Sequence, residues 1–400
     1  MDIYITIGAA IVIALVLSLG ATPLVKRFAW RVGAVDVPKD SRRVHSHPIP
    51  RLGGLAIFVG FLISVVLLAE IDRQIRGILL GALVIVIIGV IDDIRPQRAI
   101  LKFAVQIVAA LIAVFHGVAI DIFSNPNIFS EAQFVSLGYF SIPVTVLWIV
   151  AITNSVNLID GLDGLAVGVS TISAIVMLVI ALMVADTNVA IIMAALVGAC
   201  LGFLPHNFNP AKIFMGDTGA LLLGYVLATV SIIGLFKFYA MVSFAVPFLV
   251  MALPLFDTAF AFLRRLFKGQ NPMSPDRGHF HHRLLDMGLS QKQAVAILYA
   301  ISGLLGLAAV VITTNGEIRA IILIVAALIA AAIVFFVYRG THPSSAKKES
   351  NDEEMTEESP HESERPDDPE PDAEETSENS EDEREDKPPE ASSWEEDTAV

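Results

Sequence analysis

The sequence is poor in charge and holds a single cysteine. Only 17% of its residues are charged, 54% are hydrophobic, and the mean hydropathy is +0.67. A soluble globular chain does not need so much apolar sequence. Cys200 lies within an apolar run, so no internal disulfide can form and its thiol is expected to be packed. Basic residues are also absent before the first apolar run, which predicts a retained helix and not a cleaved signal peptide.

Long apolar windows recur from Ile3 to Val337, a pattern typical of a polytopic helical membrane protein. In lipid every backbone polar group needs an internal partner, so the spans should be helices. We therefore predict an all-α fold with about eleven transmembrane helices. Their approximate ranges are 3–22, 53–70, 77–91, 100–119, 141–157, 165–185, 189–205, 218–236, 241–262, 293–313 and 319–338.

Basic residues are unevenly distributed among the loops between these spans. The loops after the odd-numbered spans are rich in Lys and Arg, whereas the intervening loops carry few. The positive-inside rule assigns the basic loops to the cytoplasm. The N-terminus is then predicted to lie outside and the C-terminus in the cytoplasm.

The C-terminal segment differs in composition from the rest of the chain. Residues 341–400 carry 24 of the 41 acidic residues but only 5 of the 27 Lys and Arg residues. Because they contain almost no apolar residues, we predict a disordered, solvated tail without a catalytic role. The chain is thus divided into a membrane-embedded domain, 1–340, and an acidic tail, 341–400.

One polar stretch, residues 153–168, stands between two apolar runs and reads TNSVNLIDGLDGLAVG. It places two asparagines and two aspartates at three-residue spacing: Asn154, Asn157, Asp160 and Asp163. Side chains three residues apart are neighbours on a helix, and the intervening glycines let the backbone approach a ligand. Carboxamide and carboxylate oxygens together suit Mg²⁺. The alternative is interhelical hydrogen bonding, which accounts for Asn154 more easily than for the whole set.

Further acidic residues fall at the predicted inner ends of spans. Asp92 and Asp93 are adjacent, and such close like charges raise one another's proton affinity unless a cation intervenes. The pair therefore indicates metal binding or general-base work more than a helix cap. Asp217 directly precedes a span, where free N–H groups favour an anion, although it could be only the N-cap. Phe214, nearby, could stack on a base or simply pack.

Two predicted inner loops combine cations with histidines. The first reads DVPKDSRRVHSHPIPRLGG and includes Lys39 and His45, with attraction to anionic lipid as the alternative to phosphate handling. The second, residues 264–288, contains Arg265, His279, His281 and His282. Zinc is disfavoured there because no partner cysteines exist and the arginines would repel a cation. Arginine and histidine together suit a pyrophosphate better.

These groups all fall on one predicted side of the membrane. Oxygen donors for Mg²⁺, cations for phosphates and an adjacent bilayer predict phosphoryl transfer to a lipid acceptor. Two alternatives belong to other classes. A secondary transporter would use acidic coupling sites near the bilayer midplane, and a scaffold would recruit partners through the acidic tail.

Five motifs in this order resemble the polyprenyl-phosphate N-acetylhexosamine-1-phosphate transferase family: DVPKDSRRVHSHPIPRLGG, GVIDD, NSVNLIDGLDGLAVG, IFMGDTGALLLG and DRGHFHHRLLDMG. The resemblance covers about residues 1–340. It implies transfer of a sugar-1-phosphate from a UDP-sugar to undecaprenyl phosphate at the cytoplasmic face of a bacterial plasma membrane, with release of UMP. The histidine loop looks like the UDP-N-acetylglucosamine branch. The alternative, the phospho-N-acetylmuramoyl-pentapeptide branch, has three consecutive histidines followed by Phe-Glu.

The resemblance also implies roles for single residues and partners. Mg²⁺, for which Mn²⁺ could substitute, would be held by Asn157 and Asp217. Catalytic roles are implied for Asp92, Asp93, Asp160, Asp163, His279, His281 and His282. Substrate-binding roles are implied for Lys39, His45, Asn154, Phe214 and Arg265. The expected partners are UDP-N-acetylglucosamine, undecaprenyl phosphate, membrane lipid and a second copy in a homodimer, but no nucleic acid. Direct transfer and a covalent Asp intermediate both stay open.

Overall fold

The computed structural model describes residues 2–38, 47–124, 134–236, 245–267, 269, 279–314, 322, 325–326 and 329–330. Residue contacts divide the chain into Met1–Pro343 and Ser344–Val400, and all described residues belong to the first unit. Lys39 and His45 lie outside the described residues, as do the acidic tail and most of the predicted span 319–338.

The described part of the chain is predominantly α-helical. Its helices are α1 (Ile3–Val32), α2 (Gly54–Leu68), α3 (Arg73–Ile94), α4 (Ala99–Phe115), α5 (Ser141–Ile159), α6 (Leu165–Met183), α7 (Thr187–Asn207), α8 (Gly216–Ser231), α9 (Ala245–Val250), α10 (Ala252–Phe267), α11 (Phe280–Asp286) and α12 (Gln291–Thr313). Two short antiparallel pairs accompany them, β1 (Val35–Asp36) with β2 (Ile49–Pro50) and β3 (Ile122–Ser124) with β4 (Phe134–Ser136). A π-helical turn, Ile232–Phe236, continues α8.

Of the helical segments that the structure describes, seven are long and apolar enough to cross a membrane, and they contain α1, α3, α5, α6, α7, α8 and α12. The shorter apolar helices α2 and α4 occupy two further predicted spans, and α9 with α10 occupies a third. The expectation of an all-α, multi-pass membrane protein is therefore confirmed for the described residues. The number of crossings and the side of each terminus stay predictions.

Local sequence explains where several helices begin and end. Asp72 and Asp186 accept hydrogen bonds from backbone N–H groups in the first turns of α3 and α7. Ser290 and Gln293 form a capping box at the start of α12. The helix α1 ends at Gly33, whose φ of +75° is accessible to glycine at little cost. It thus continues ten residues past the predicted boundary at 22, beyond the apolar run.

The helix α8 is the centre of the bundle. Within its apolar window 89% of the residues are buried, against 22% for α1, which lies at the periphery. Small residues allow neighbouring backbones to approach closely. A Cβ atom at Gly54 would overlap the backbone of Gly219, and one at Gly89 would overlap that of Thr218. The start of α8 is therefore pressed against both α2 and α3.

The segment after β2 runs beside the segment that precedes α8. Phe214 donates its N–H to the carbonyl of Pro50 at 2.8 Å, while Gly53 and Gly54 donate to the carbonyls of Phe214 and Met215, both at 2.9 Å. These backbone bonds join parts of the chain that are more than 150 residues apart in the sequence. They bring the described end of the first basic loop to the N-terminus of α8.

Candidate active site

A cavity of about 510 Å³ lies among the ends of α5, α7 and α8 that were predicted to face the cytoplasm. Four of the predicted site residues supply oxygen atoms to its lining: Asn157, Asp160, Asp163 and Asp217. Phe214 and His282 line it as well, as does Arg51. The structure thus brings six predicted residues from three distant motifs into one pocket.

The turn between α5 and α6 forms one wall of this cavity. The N–H of Asp160 reaches the carbonyl of Asn157 at 3.2 Å, so the acidic turn follows directly on the last turn of α5. Gly164 has a φ of +78° and immediately precedes α6. The carboxylate of Asp163 accepts hydrogen bonds from the side chain of Asn209 and the N–H of Ala211, both at 3.0 Å. The connection between α7 and α8 therefore fixes the orientation of this carboxylate.

Burial, followed by the negative charges of Asp217 and Asp93, raises the pKa of Asp160 to about 8. Asp160 is half-buried at the cavity wall. Its carboxyl group consequently favours the protonated form around neutral pH unless a cation approaches it. A bound cation would release this proton.

Asp93 is the most heavily hydrogen-bonded of these carboxylates. It accepts from the N–H of Asp217 at 3.0 Å, from the N–H of Thr218 at 3.1 Å and from the Thr218 hydroxyl at 2.6 Å. The guanidinium of Arg51 adds contacts at 3.1 and 3.2 Å. The anion at the N-terminus of α8 is therefore a carboxylate of the same chain, supplied by α3. Gly216, at φ +70°, is needed here because a Cβ atom would overlap this carboxylate.

Asp92 has different partners from Asp93. Its Oδ1 accepts from the N–H of Gln97 at 2.7 Å, and its Oδ2 lies 3.2 Å from Nζ of Lys102. The same ammonium group lies 2.7 Å from Oδ2 of Asp217. The adjacent acidic pair thus has one cation for each member, Lys102 for Asp92 and Arg51 for Asp93. Neither Asp92 nor Asp93 lines the cavity, whereas Asp217 does.

The histidine segment reaches the cavity through only one of its three predicted residues. His282 lines the cavity, while His279 and His281 are buried behind it. His281 packs against Gly161, because a Cβ atom at that glycine would overlap its ring. Burial, followed by the charge of His282, lowers the pKa of His281 to about 4, so this ring is neutral around pH 7. His279 lies 3.0 Å from the carboxylate of Asp257.

Two predicted substrate-binding residues lie away from the cavity lining. Asn154 donates to the side chain of Gln106 and, at 2.8 Å, to the carbonyl of Val150. This contact between α4 and α5 corresponds to the interhelical alternative considered for Asn154. Arg265 is buried in α10. Among the residues that the structure describes, neither side chain belongs to the cavity wall.

The oxygen donors of the cavity fit a hard divalent cation. Within the described ranges, no group of three or more His, Cys, Asp and Glu side chains is arranged to hold a metal alone. Mg²⁺ is usually held by one or two carboxylates, with waters and substrate phosphates completing its shell. Asn157 and Asp217 would supply such an incomplete set, together with the nearby acidic turn.

Sequence reasoning missed several residues that shape the site. Arg51 belongs to the first basic loop, where no role was predicted for it, and Lys102 falls within the predicted apolar span 100–119. The cavity wall also contains His47 of the first basic loop, and polar side chains that were not singled out: Asp36, Asn207, Asn209 and Gln291. A signal existed for Lys102, since a cation near the start of an apolar helix needs an anionic partner. The sequence does not indicate which acidic residues pair with Lys102.

Part of the chain matches a known protein family. Residues 75–235 match the family model described as glycosyl transferase family 4. The matched segment contains the acidic residues of α3, of the turn after α5 and of the start of α8. It ends before the histidine segment.

Similar proteins cover most of the chain. A protein of Bacillus subtilis strain 168, named probable undecaprenyl-phosphate N-acetylglucosaminyl 1-phosphate transferase, is 41% identical over 310 residues, covering 77% of this chain and 85% of that protein. Decaprenyl-phosphate N-acetylglucosaminephosphotransferase of Mycolicibacterium smegmatis is 38% identical, covering 74% and 79%. Phospho-N-acetylmuramoyl-pentapeptide-transferase of Staphylococcus aureus strain MSSA476 is 31% identical, covering 64% and 84%.

Proposed function

Because this chain belongs to glycosyl transferase family 4, we propose that it transfers N-acetylglucosamine-1-phosphate from UDP-N-acetylglucosamine to undecaprenyl phosphate and releases UMP. This would be the first membrane step in the synthesis of a cell-envelope polymer such as teichoic acid or O-antigen. The family resemblance carried by the five motifs is confirmed by the matched segment and by the relatives.

One observation carries the proposal. A single cavity combines the oxygen donors Asn157 and Asp217 with the cationic side chain of Arg51 at the ends of apolar helices. A nucleotide sugar requires cations for its pyrophosphate, and a prenyl phosphate requires access from the membrane. Acidic groups beside an anionic substrate need a bridging cation, and this need supports Mg²⁺ as the cofactor, with Mn²⁺ as a substitute.

In the proposed reaction, an oxygen of the lipid phosphate attacks the β-phosphorus of the UDP-sugar. The new P–O bond forms as the bond between the β-phosphorus and the bridging oxygen breaks, and that oxygen leaves with UMP. Bound Mg²⁺ would stabilise the negative charge that develops on the phosphates. Arg51 and His282 would orient the substrate from the cavity wall, and Phe214 would offer its ring to the uracil.

The acidic pair has unequal parts in this proposal. The carboxylate of Asp93 already accepts hydrogen bonds from Arg51 and from the N–H groups at the start of α8. Its proposed part is therefore structural, because it joins α3 to α8 beside the cavity. Lys102 lies between Asp92 and Asp217 and pairs with both carboxylates. We propose that Asp92 orients the lipid phosphate in a single displacement. A covalent adduct trapped on Asp92 would instead support the two-step route.

The proposed setting is a bacterial plasma membrane, with about eleven helices crossing it and the cavity at the cytoplasmic face. The N-terminus would lie outside. The chain would comprise a catalytic domain, 1–340, and a disordered tail, 341–400, which would lie in the cytoplasm. A homodimer is the proposed assembly. The uneven distribution of basic loops supports the orientation.

Two alternatives to this function are the pentapeptide branch of the family and a secondary transporter. Relatives named for N-acetylglucosamine have identities of 32–41%, whereas the N-acetylmuramoyl-pentapeptide transferases have 31%. A secondary transporter fits less well because the carboxylates of the cavity lie at helix ends and not at mid-helix breaks.

The deciding test is UMP release by the purified protein in detergent with Mg²⁺. UDP-N-acetylglucosamine and UDP-N-acetylmuramoyl-pentapeptide are compared as donors, and undecaprenyl and decaprenyl phosphate as acceptors. We expect release with UDP-N-acetylglucosamine and undecaprenyl phosphate, and its loss when EDTA removes Mg²⁺. Release with only the pentapeptide donor would reject the proposed branch, and no release with either donor would reject the transferase assignment.

A further inference from the structure

Asp257 in α10 is a buried carboxylate to which the proposed reaction assigns no task. It is only 3% exposed and does not line the cavity. Its Oδ1 accepts a hydrogen bond from the N–H of Phe280 at 2.8 Å, and its Oδ2 lies 3.0 Å from Nδ1 of His279. Both contacts fall at the beginning of α11. One carboxylate therefore fixes where this helix starts and how the ring of His279 is turned.

The contact also selects a tautomer of His279. An ionised carboxylate only accepts hydrogen bonds, so the proton of a neutral His279 ring must sit on Nδ1. The other nitrogen, Nε2, is then left as an acceptor. Carboxylates behind functional histidines commonly set ring orientation and tautomer in this way.

A stack of imidazole rings connects His279 to the cavity. The rings of His279 and His281 are nearly parallel, at 7°, with centroids 5.8 Å apart. The centroid of His282 lies 4.3 Å from that of His281, and His282 lines the cavity. A rotation of the first ring would therefore be transmitted through contacts to the one that faces the substrate.

The short helix α11 depends on α10 for its position. With seven residues it is too short to be stable by itself. The ring of Phe280 stacks on that of Phe260, with centroids 6.1 Å apart. The guanidinium of Arg283 lies 5.0 Å from the centroid of the Phe260 ring. These contacts hold the helix body, whereas Asp257 holds its first residue and its first histidine.

We propose that Asp257 is a positioning residue that acts through His279, holding the histidine stack so that His282 presents its ring to the substrate. The inference rests on the proposed transferase function and adds a residue to it. Asn is nearly isosteric at this position. Its carbonyl oxygen could still accept from Phe280, but its amide would face Nδ1 of His279 and favour the opposite tautomer.

The test compares Asp257→Asn, His279→Ala and the double variant by UMP release. We expect Asp257→Asn to lower kcat by about 10- to 100-fold, the usual range for residues that orient a functional histidine. The KM for UDP-N-acetylglucosamine and the Tm should stay close to those of the wild type. The double variant should be no worse than His279→Ala alone, because both changes interrupt one chain of contacts.

Thr258→Val is the matched control. Its Oγ1 is buried and, among the described residues, has no hydrogen-bond partner, so the change should leave kcat unaltered. Additive losses in the double variant, or full activity of Asp257→Asn, would overturn the proposal. If Asp257→Asn does not fold, His279→Asn, which keeps an N–H near the Nδ1 position, is compared with His279→Leu. Equal activity of these two variants would then overturn it.

A spectroscopic measurement separates this inference from the proposed function. Protein labelled with ¹⁵N-histidine, with the signal of His279 assigned through His279→Ala, should show the Nδ1-protonated tautomer. Asp257→Asn should remove that signature. An unchanged His279 signal rejects the inference even if the wild type releases UMP. A wild type that releases no UMP rejects the proposed function, and the spectrum alone then decides whether Asp257 sets the tautomer.

Discussion

The acidic floor of the site and the histidine segment reach the same cavity but are held in different ways. The floor, defined as Asp92, Asp93, Lys102 and Asp217, lies between long packed helices and is joined by ion pairs and helix N–H groups. The histidine segment, residues 279–286, is one short helix held at its start by Asp257 and along its side by Phe260.

The difference separates structural from functional effects. On the floor, most contacts that orient the carboxylates also join α3 or α4 to α8, so a substitution should affect stability and activity together. At the histidine segment the orientation of the rings depends on a few contacts made by Asp257 and Phe260 of α10. Substitutions there should change activity with little change in stability. Predictions that follow from this contrast range from loss of activity to no effect.

The largest effect is expected for Asp217→Ala. This change removes a proposed Mg²⁺ ligand and leaves Lys102 with Asp92 alone. We expect UMP release to fall by about 10³-fold, since electrostatic groups at a charged transition state contribute on that scale. The control is Asp121→Asn, a carboxylate near the opposite end of α5 that bonds Ser141. A fall of less than about tenfold would contradict the assignment of Asp217.

The next effect is expected for Asp93→Asn, and it should appear in stability as well as in activity. The amide cannot accept from all of Arg51, Asp217 and Thr218, and it leaves Arg51 without its buried partner. Breaking a buried ion pair costs about 3–5 kcal/mol, so Tm in detergent should fall clearly. An unchanged Tm with lost activity would show that Asp93 acts in the reaction and not in holding the floor.

A smaller effect, confined to activity, is expected for Gly161→Ala. The new Cβ atom would overlap the ring of His281 and displace the histidine segment. We expect about a tenfold loss of kcat, in the range for displaced supporting groups, with Tm nearly unchanged. Gly8→Ala in α1 is the matched control, because no described atom lies within 4 Å of the place that its Cβ atom would take. Equal behaviour of the two variants would contradict the proposed contact between the acidic turn and α11.

A change in pH dependence is expected for Asp160→Asn. The folded-state pKa of Asp160 is about 8, whereas an unfolded Asp titrates near 3.9. Between about pH 4 and 8 the folded state therefore binds more protons, so this group lowers stability progressively as the pH rises through that window. In Mg²⁺-free buffer, Asp160→Asn should gain in Tm relative to the wild type from pH 5 to pH 8. A constant difference would contradict the raised pKa.

The smallest effect is expected for deletion of residues 341–400. None of the residues proposed for the site belongs to this segment, so UMP release in detergent should stay within about twofold of the full chain, a margin below about 1 kcal/mol in the barrier. Loss of activity on deletion would favour the scaffold alternative, in which the tail recruits a partner. The measurement uses the same substrates as the donor comparison.

The sequence predicted which segments carry the chemistry but not how they are connected. Residues three apart share a helix face, and this rule grouped Asn157 with Asp160 and Asp163, although α5 ends at Ile159 and the two aspartates lie in the turn that follows it. The same rule grouped Asn154 with them, yet its side chain meets Gln106 of α4 instead. A residue near a helix end can face either the cavity or a neighbouring helix, and only the packing of helices determines which.

Composition and periodicity determined the all-α, membrane-spanning character of this protein, because a bilayer allows few structures for long apolar segments. Motif order determined the family and the residue types of the site. Tertiary structure alone decided that Asp93 caps α8, that Lys102 joins Asp92 to Asp217, and that Asp257 holds His279. These pairs are 10 to 125 residues apart. Their energies depend on distance and burial in three dimensions, which no local pattern encodes.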